Sequence, residues 1–289
     1  MAEGIVIVNK PTGWTSMDVC AKLRGVFHTK KIGHAGTLDP MATGVLPVFV
    51  GQATRAVSFA ENGNKEYIAT LRLGCVTDTQ DTSGEVLESH EVTATMSDLM
   101  AVLPRFTGPI EQIPPMYSAI KINGQKLYDL ARQGKTVERK ARKITIEEIE
   151  VLRQISPTDF ELRILCSKGT YIRTLCHDIG AALQCGGCMA SLQRSMAAGF
   201  RLSEAYTLEE IQSLGTSVLA STDSLFREHP AYHITIERQD MLNRNGNAFF
   251  IHEDLPGGIY RIYGLDGSFR CISQLDDHQM TSIKNFFGA

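Results

Sequence analysis

Strong charge of either sign is missing from this 289-residue chain, whose formal net charge is −3 at neutral pH. As a total, that figure argues mildly against a polyanion binder, although contact with a polyanion depends on where charges sit more than on their sum. Also missing is any apolar run approaching the ~18 residues that suggest a membrane span. The opening Met-Ala-Glu-Gly-Ile-Val-Ile-Val lacks the basic region and cleavage site of a secretory signal, so none is expected. There is no complete Walker motif, Gly-x-x-x-x-Gly-Lys-Ser/Thr, and no paired-aspartate metal motif, which ranks an aspartate-nucleophile phosphate hydrolase last among the candidate enzymes. Cysteine is scattered and odd in number, at seven. That fits a reducing cytoplasm better than a disulfide framework. Charged and apolar fractions are ordinary for a globular protein, and the length allows a sizeable core while being long for a single domain.

What is present concentrates in residues 33–47, Gly-His-Ala-Gly-Thr-Leu-Asp-Pro-Met-Ala-Thr-Gly-Val-Leu-Pro. Glycine permits unusual backbone angles and close approach, while proline fixes φ and removes a donor. The segment therefore reads as a shaped, rigid loop carrying one carboxylate, Asp39. A lone acid on such a loop is a candidate nucleophile or base. Its bland alternative is an Asp-Pro turn, a common structural role. Basic residues gather on both sides of the loop in sequence, at Lys22, Arg24, His28, Lys30, Lys31 and His34, and again from Lys121 and Lys126 through Arg132 to Lys143. Acids concentrate elsewhere, at 78–91, 147–150 and 276–277. Two basic runs flanking the loop are compatible with a phosphate-binding groove and equally with solvated faces.

Periodicity places the rest. Residues 5–8 read as a buried strand, and Ser16 as the N-cap of a helix in which Val19, Leu23, Val26 and Phe27 recur. A strand at 48–50 and a short helix at 54–61 follow. Residues 65–74 read as a strand with Tyr67, Ala69, Leu71 and Leu73 on one face. A helix is expected at 98–106 and paired strands at 142–155 and 159–166. A strand-to-helix junction at 168–175 leads into a helix carrying Ile172, Leu175, Ile179 and Leu183, and a further helix spans 208–214. Beyond about Pro230, Asn-Gly, Pro-Gly-Gly and Asp-Gly turns mark a region of short strands. Cys176 and His177 with Cys185 and Cys188 invite a zinc reading, but one C-x₂-C pair without a second is weak, and neighbours on a helix do not easily point at one ion.

From 33 to 47, followed by Val50-Gly51-Gln52-Ala53-Thr54-Arg55, the chain resembles the active-site motif of the TruB-type tRNA pseudouridine synthases. Further segments agree: Asn9 to Ser16 with its Lys-Pro-x-Gly-x-Thr-Ser pattern, Lys65-Glu66-Tyr67, residues 114–124, Gly169-Thr170-Tyr171-Ile172-Arg173, and Ser191-Leu192-Gln193-Arg194-Ser195. The likeness is strong over about 5–200 and fades afterwards.

The resemblance implies an α+β pseudouridine synthase fold, with a central mixed, mainly antiparallel sheet flanked by helices. It implies a catalytic domain at 1–228, a basic RNA-gripping insertion at about 110–143, and a small PUA-like RNA-binding domain at 229–289. It implies isomerisation of uridine 55 in the tRNA T loop, with base flipping, no cofactor and no metal. Asp39 would be the catalytic residue, Tyr67 would stack on the target base, and Arg173 would pair with Asp39 and hold it ionised. His34 would fill the space left by the flipped base, and Leu192 would pack near it. The Lys10 turn would buttress the active-site loop, with Lys10, Tyr171, Lys121 and Arg132 counted on the substrate side. Gln193 stands where the family usually has a second arginine. The partner implied is tRNA alone, for a monomer in the cytoplasm. A non-catalytic RNA-binding or RNA-folding protein on the same scaffold is the alternative.

Overall fold

The computed structural model describes residues 2–122 and 124–286; Met1 of the opening run and Asn123 of the segment 114–124 lie outside the described residues. The strands are β1 (Gly4–Lys10), β2 (Ile32–His34), β3 (Thr43–Val50), β4 (Lys65–Leu73), β5 (Cys75–Thr77), β6 (Val86–Ser89), β7 (Gly108–Gln112), β8 (Lys121–Ile122), β9 (Gln125–Lys126), β10 (Arg142–Gln154), β11 (Asp159–Cys166), β12 (Gly187–Ala197), β13 (Phe200–Arg201), β14 (Ala231–His233), β15 (Phe249–Phe250), β16 (Gly258–Tyr263), β17 (Phe269–Asp276) and β18 (Gln279–Asn285). The α-helices are α1 (Ser16–Val26), α2 (Val57–Asn62), α3 (Met96–Val102), α4 (Leu127–Arg132), α5 (Ile172–Ala182), α6 (Leu208–Leu214) and α7 (Glu237–Arg244).

Nine strands make one mixed, mainly antiparallel sheet in the order β1-β3-β12-β4-β11-β10-β7, with β2 and β13 as side branches. Its one parallel ladder joins β3 to β12, through Gln193 opposite Thr43 and Arg194 opposite Gly44. The period-2 alternation of β1 divides two cores. Val6 and Val8 face a cluster with Leu23 of α1, Leu99 of α3, Leu175 of α5 and Ile211 of α6. Ile5 and Ile7 face the other side, with Phe49, Ala53, Ala60, Phe226, Ile272 and Phe286. Ile272 lies in the second sheet, ordered β14-β16-β17-β18-β15, and Phe286 directly follows its strand β18. The two sheets thus share a core, whose centre is an aromatic knot: Phe59–Phe226 centroids lie 5.4 Å apart, and Phe269 stacks on Phe286 at 5.4 Å.

Several local expectations are corrected. Residues 33–47 are not a single loop: β2 ends at His34 and β3 begins at Thr43, so Pro47 lies inside a strand. Proline is tolerated there because Pro47 O accepts from Ala35 N (3.0 Å), on the side away from its β1 neighbour Ile7, whose own carbonyl accepts from Tyr206 N (2.8 Å). The Ile7–Pro47 pair therefore exchanges no ladder bonds, and the missing N–H costs the β1–β3 ladder nothing. The N-cap of α1 is Thr15, in a capping box with Asp18, rather than Ser16. Ser16 is spent elsewhere, its hydroxyl accepting from Leu38 N at 2.9 Å. The helix at 54–61 is a 3₁₀ segment Gly51–Ala56 running into α2, and the one at 98–106 starts two residues earlier and tightens to 3₁₀ at Leu103–Phe106. The basic stretch 121–143 folds as the small β8–β9 hairpin, the short α4 and an extended return.

Candidate active site

Asp39 sits on the turn between β2 and β3, with its side chain 38% exposed. Backbone contacts shape this turn: Ala42 N donates to Asp39 O at 3.0 Å and Gly13 N to Pro40 O at 2.8 Å. Beneath it, Lys10 is fully buried at the end of β1 and donates its ammonium to Trp14 O (2.6 Å), Pro11 O (2.9 Å) and Pro40 O (3.3 Å). Lys10 therefore ties the first turn to the Asp39 turn. It does not line the cavity described below, so its place is that of a buttress rather than of a direct substrate contact.

Burial pushes the Lys10 ammonium down to about 8, partly offset by the nearby Asp39 charge. An unfolded lysine holds its proton to a higher pH, so between about pH 8 and 10.5 the unfolded chain binds more protons at this position. Lysine 10 alone thus adds stability as pH rises through that window. The stability deficit of Lys10→Met relative to the parent should be constant below pH 8 and widen from pH 8 to 10.5, as read by urea denaturation at each pH. A deficit that narrows would contradict the lowering of the Lys10 pKa by burial.

Arg173, the second residue of α5, is 5% exposed and reaches three segments at once. Its Nε lies 3.0 Å from Asp39 Oδ2 and 3.7 Å from Asp81 Oδ2. Nη1 donates to Thr79 O (3.0 Å) and Nη2 to Tyr117 O (2.8 Å). Two carbonyls hold the guanidinium plane, and its Nε edge faces two carboxylates. The Asp39 contact is an ion pair without an aligned hydrogen bond, since Nε–H has no acceptor in bonding geometry. Asp81, itself buried, is fixed by Thr79 Oγ1 (2.8 Å) and Ser83 N (2.9 Å).

These groups open on a cavity of about 690 Å³ lined by Asp39, Tyr67, Tyr171, Arg173 and Leu192, with Tyr117 and Tyr128 at its side. Segments distant in sequence, the 36–39 turn, β4, β12 and the start of α5, thus converge on one carboxylate. Tyr67 is buried, and burial raises its hydroxyl above the ordinary range, with the Arg194 guanidinium beside it acting the other way. Arg194 and Lys65 are among the cavity residues with no assigned role from sequence. Arg194, 1% exposed, donates from Nε to Val45 O (2.7 Å) and from Nη2 to Gly36 O (2.9 Å), bracing both sides of the Asp39 turn. Gly44 explains why the turn comes so close: its φ is +98°, and a Cβ there would collide with the Arg194 backbone. Lys65 donates to Glu61 O and Gly63 O, both at 2.6 Å, and burial lowers it to about 8.

The other expected residues lie apart. His34, at the end of β2, is not among the cavity's lining; burial lowers its pKa, helped by Arg194, and its Nδ1 is buried without a partner. Lys121 and Arg132 share a separate concavity of about 610 Å³ on the insertion with Lys126. Tyr128 links the two, lining the main cavity while Lys126 and Arg132 sit 5.1 and 5.5 Å from its ring centre. Gln193 is exposed and alternates with the inward-facing Leu192, so it lies on the sheet face away from the cavity. Among the described residues no three His, Cys, Asp or Glu side chains converge as a metal site, and Cys176 is wholly buried in α5.

Chemically, the site offers the Asp39 carboxylate against a buried guanidinium, an aromatic wall with a neutral hydroxyl, and an apolar floor. Comparisons with known proteins agree in family. A model described as "TruB family pseudouridylate synthase (N terminal domain)" matches residues 24–172, and one described as "tRNA pseudouridylate synthase B C-terminal domain" matches 173–227. The protein named tRNA pseudouridine synthase B of Francisella philomiragia subsp. philomiragia is 43% identical, over 98% of this chain and 95% of that protein. Its namesake in Francisella tularensis subsp. tularensis is 42% identical over the same shares. Among solved structures, a Cbf5-Nop10-Gar1 complex gives a TM-score of 0.73 at 24% identity, covering 98% of this chain and 85% of that one. An H/ACA RNP bound to a substrate RNA containing 2'-deoxyuridine gives 0.73 at 22% identity, covering 99% and 85%. At that identity the likeness speaks for the fold.

Proposed function

The chain belongs to the TruB family of pseudouridylate synthases, and on that premise we propose that it isomerises uridine 55 in the T loop of tRNA, with Asp39 as the reacting carboxylate. The observation that carries the reading is the Asp39–Arg173 ion pair at 3.0 Å inside a cavity walled by Tyr67. The reaction breaks the N1–C1′ bond of uridine, turns the uracil, and forms a C5–C1′ bond; the proton on C5 is released and N1 gains one. Nothing is oxidised and no group is donated, so one carboxylate suffices without a cofactor. Asp39 either adds covalently to the nucleoside or takes the C2′ proton to give a glycal. Tyr67 supplies a stacking surface, and its neutral hydroxyl a proton donor or acceptor.

A uridine in a folded T loop must leave its stack, at about a few kcal/mol. Stacking in the cavity, worth ~1–3 kcal/mol per base, offsets that cost together with phosphate contacts. Lys121, Lys126 and Arg132 on the insertion and Arg142, Lys143 and Lys168 at the cavity side are suited to those contacts. We assign residues 1–228 to the catalytic domain, with its RNA-gripping insertion at about 110–143, and 229–289 to a small PUA-like domain. The protein is read as a cytoplasmic monomer without an obligate protein partner. All seven cysteines are free, and no helix among the described residues is long and apolar enough to cross a membrane.

The test is incubation with a tRNA transcript lacking modifications, without metal or nucleotide. Pseudouridine at position 55 is the expected product; none, from a folded protein that binds the transcript, would favour the non-catalytic alternative. Affinity for the same tRNA should fall steeply with salt, by at least about tenfold between 50 and 200 mM, because neutralised phosphates release counterions. An affinity flat across that range would remove the basic insertion from the RNA footprint.

A further inference from the structure

Arg173 takes half of its geometry from the insertion. The acceptor for its Nη2 is the backbone carbonyl of Tyr117 (2.8 Å), whereas the acceptor for Nη1 is Thr79 O (3.0 Å), in the turn after β5. These two segments are far apart in sequence, and one side-chain contact joins them: the Tyr117 hydroxyl lies 3.3 Å from Asp78 Oδ2. Asp78 is itself anchored, its other carboxylate oxygen accepting from Glu85 N at 2.8 Å. The clamp around the guanidinium is therefore closed by a phenol-to-carboxylate tie, from the carbonyl's own residue Tyr117 on one side and from Asp78, next to Thr79, on the other.

The Tyr117 end is also continuous with the basic insertion. Ser118 O accepts from Tyr128 N (3.1 Å), and Ile120 O accepts from Leu127 N (2.8 Å), so the bent run 117–120 is bonded to the start of α4. That same α4 carries Arg132, and the flanking hairpin carries Lys121 and Lys126. Anything that draws these cations onto a phosphate backbone pulls directly on the segment that supplies the Arg173 acceptor.

We propose that Tyr117 is a positioning residue which, through its tie to Asp78, couples engagement of RNA by the insertion to the orientation of Arg173 toward Asp39. The proposal rests on the reading of the chain as a tRNA pseudouridine synthase. Tyr117 contributes no group to the reaction itself. Its carbonyl aims the guanidinium, and its hydroxyl fixes where the carbonyl sits. An active site completed only when the insertion is docked would spend its chemistry on bound tRNA and not on free uridines.

The experiment compares single-turnover rates and tRNA dissociation constants for Tyr117→Phe, Asp78→Ala, Asp78→Asn and the Tyr117→Phe/Asp78→Ala double variant, each first matched to the parent in thermal midpoint. Tyr117→Phe keeps the ring and the carbonyl and deletes only the tie. It should bind tRNA within about threefold of the parent and react about tenfold more slowly, as should Asp78→Ala. The double variant should be no slower than Asp78→Ala alone, because the tie that Tyr117→Phe deletes is already gone there. Asp78→Asn, which keeps an acceptor for the phenol, should recover most of the rate. In parallel, the Arg173 Nε–H resonance should move in Tyr117→Phe without tRNA present, a readout independent of turnover. A parent-like rate in Tyr117→Phe, a loss lying wholly in affinity, or losses that multiply in the double variant would each overturn the coupling. A parent protein that makes no pseudouridine would instead overturn the underlying function.

Discussion

Asp39→Asn is expected to fold, to bind tRNA nearly as the parent does, and to form no pseudouridine. The amide is almost isosteric with the carboxylate, and the turn that carries it is held by backbone bonds and by Lys10 and Arg194, none of which needs the Asp39 side chain. What disappears is the anion facing Arg173 Nε across 3.0 Å, hence the nucleophile or base. Arg173 keeps Thr79 O, Tyr117 O and the Asp81 carboxylate, so the guanidinium is not left as an orphaned buried charge. The rate should therefore fall by at least about 10³- to 10⁴-fold, with thermal midpoint and salt-dependent tRNA affinity little changed. Release of tritium from C5-labelled uridine in the transcript measures this directly, since that hydrogen leaves in the reaction. An active Asn variant, free of deamidation and of parent protein, would falsify the assignment of Asp39.

Residues 39, 67, 173 and 192 could each be singled out in the chain, and the fold brings all four to one cavity. Local rules account for much of this. Alternation along Tyr67, Ala69, Leu71 and Leu73 set the inward face of β4, and the same parity in β12 points Leu192 in and Gln193 out. Parity alone therefore weakens the concern over an arginine missing at 193. Less legible were groups whose roles depend on distant carbonyls. Nothing near Lys10, Lys65 or Arg194 in sequence says that their cations are buried on backbone oxygens of the turns at 11–14, 36–45 and 61–63. Cations are ordinarily surface residues, and only tertiary contacts overturn that expectation. Pro47 misled for a related reason: a proline argues against a strand unless its neighbour's bonds point away, which is a property of the finished sheet. The Ser16 cap failed by one residue because Thr15 offers the same chemistry with Asp18 at the right offset. The C-terminal module was visible as strands and turns, but its sharing of a core with β1 and β3 through Phe226 and Phe286 was not.

Arg173→Lys separates charge from shape. Lysine keeps the positive charge, but as a compact ammonium on a flexible stem it cannot meet Asp39, Thr79 O and Tyr117 O in three fixed directions at once. At least one buried carbonyl would lose its donor, and the cation would no longer be held at the carboxylate's edge. The variant is expected to bind tRNA within about threefold of the parent, because the arginine is 5% exposed and takes little part in any RNA surface. Its single-turnover rate should fall by about 10²-fold or more, the scale for misplacing one preorganised charge at a reacting centre. Arg173→Met goes further, leaving Asp81 and Asp39 without their shared cation, and should also destabilise the fold by roughly 3–5 kcal/mol in urea titration. If Arg173→Lys turned over like the parent, positive charge alone would be enough and the two-carbonyl clamp irrelevant to chemistry. If Arg173→Met did so, the ion pair with Asp39 would be structural, and the carboxylate would be working unaided.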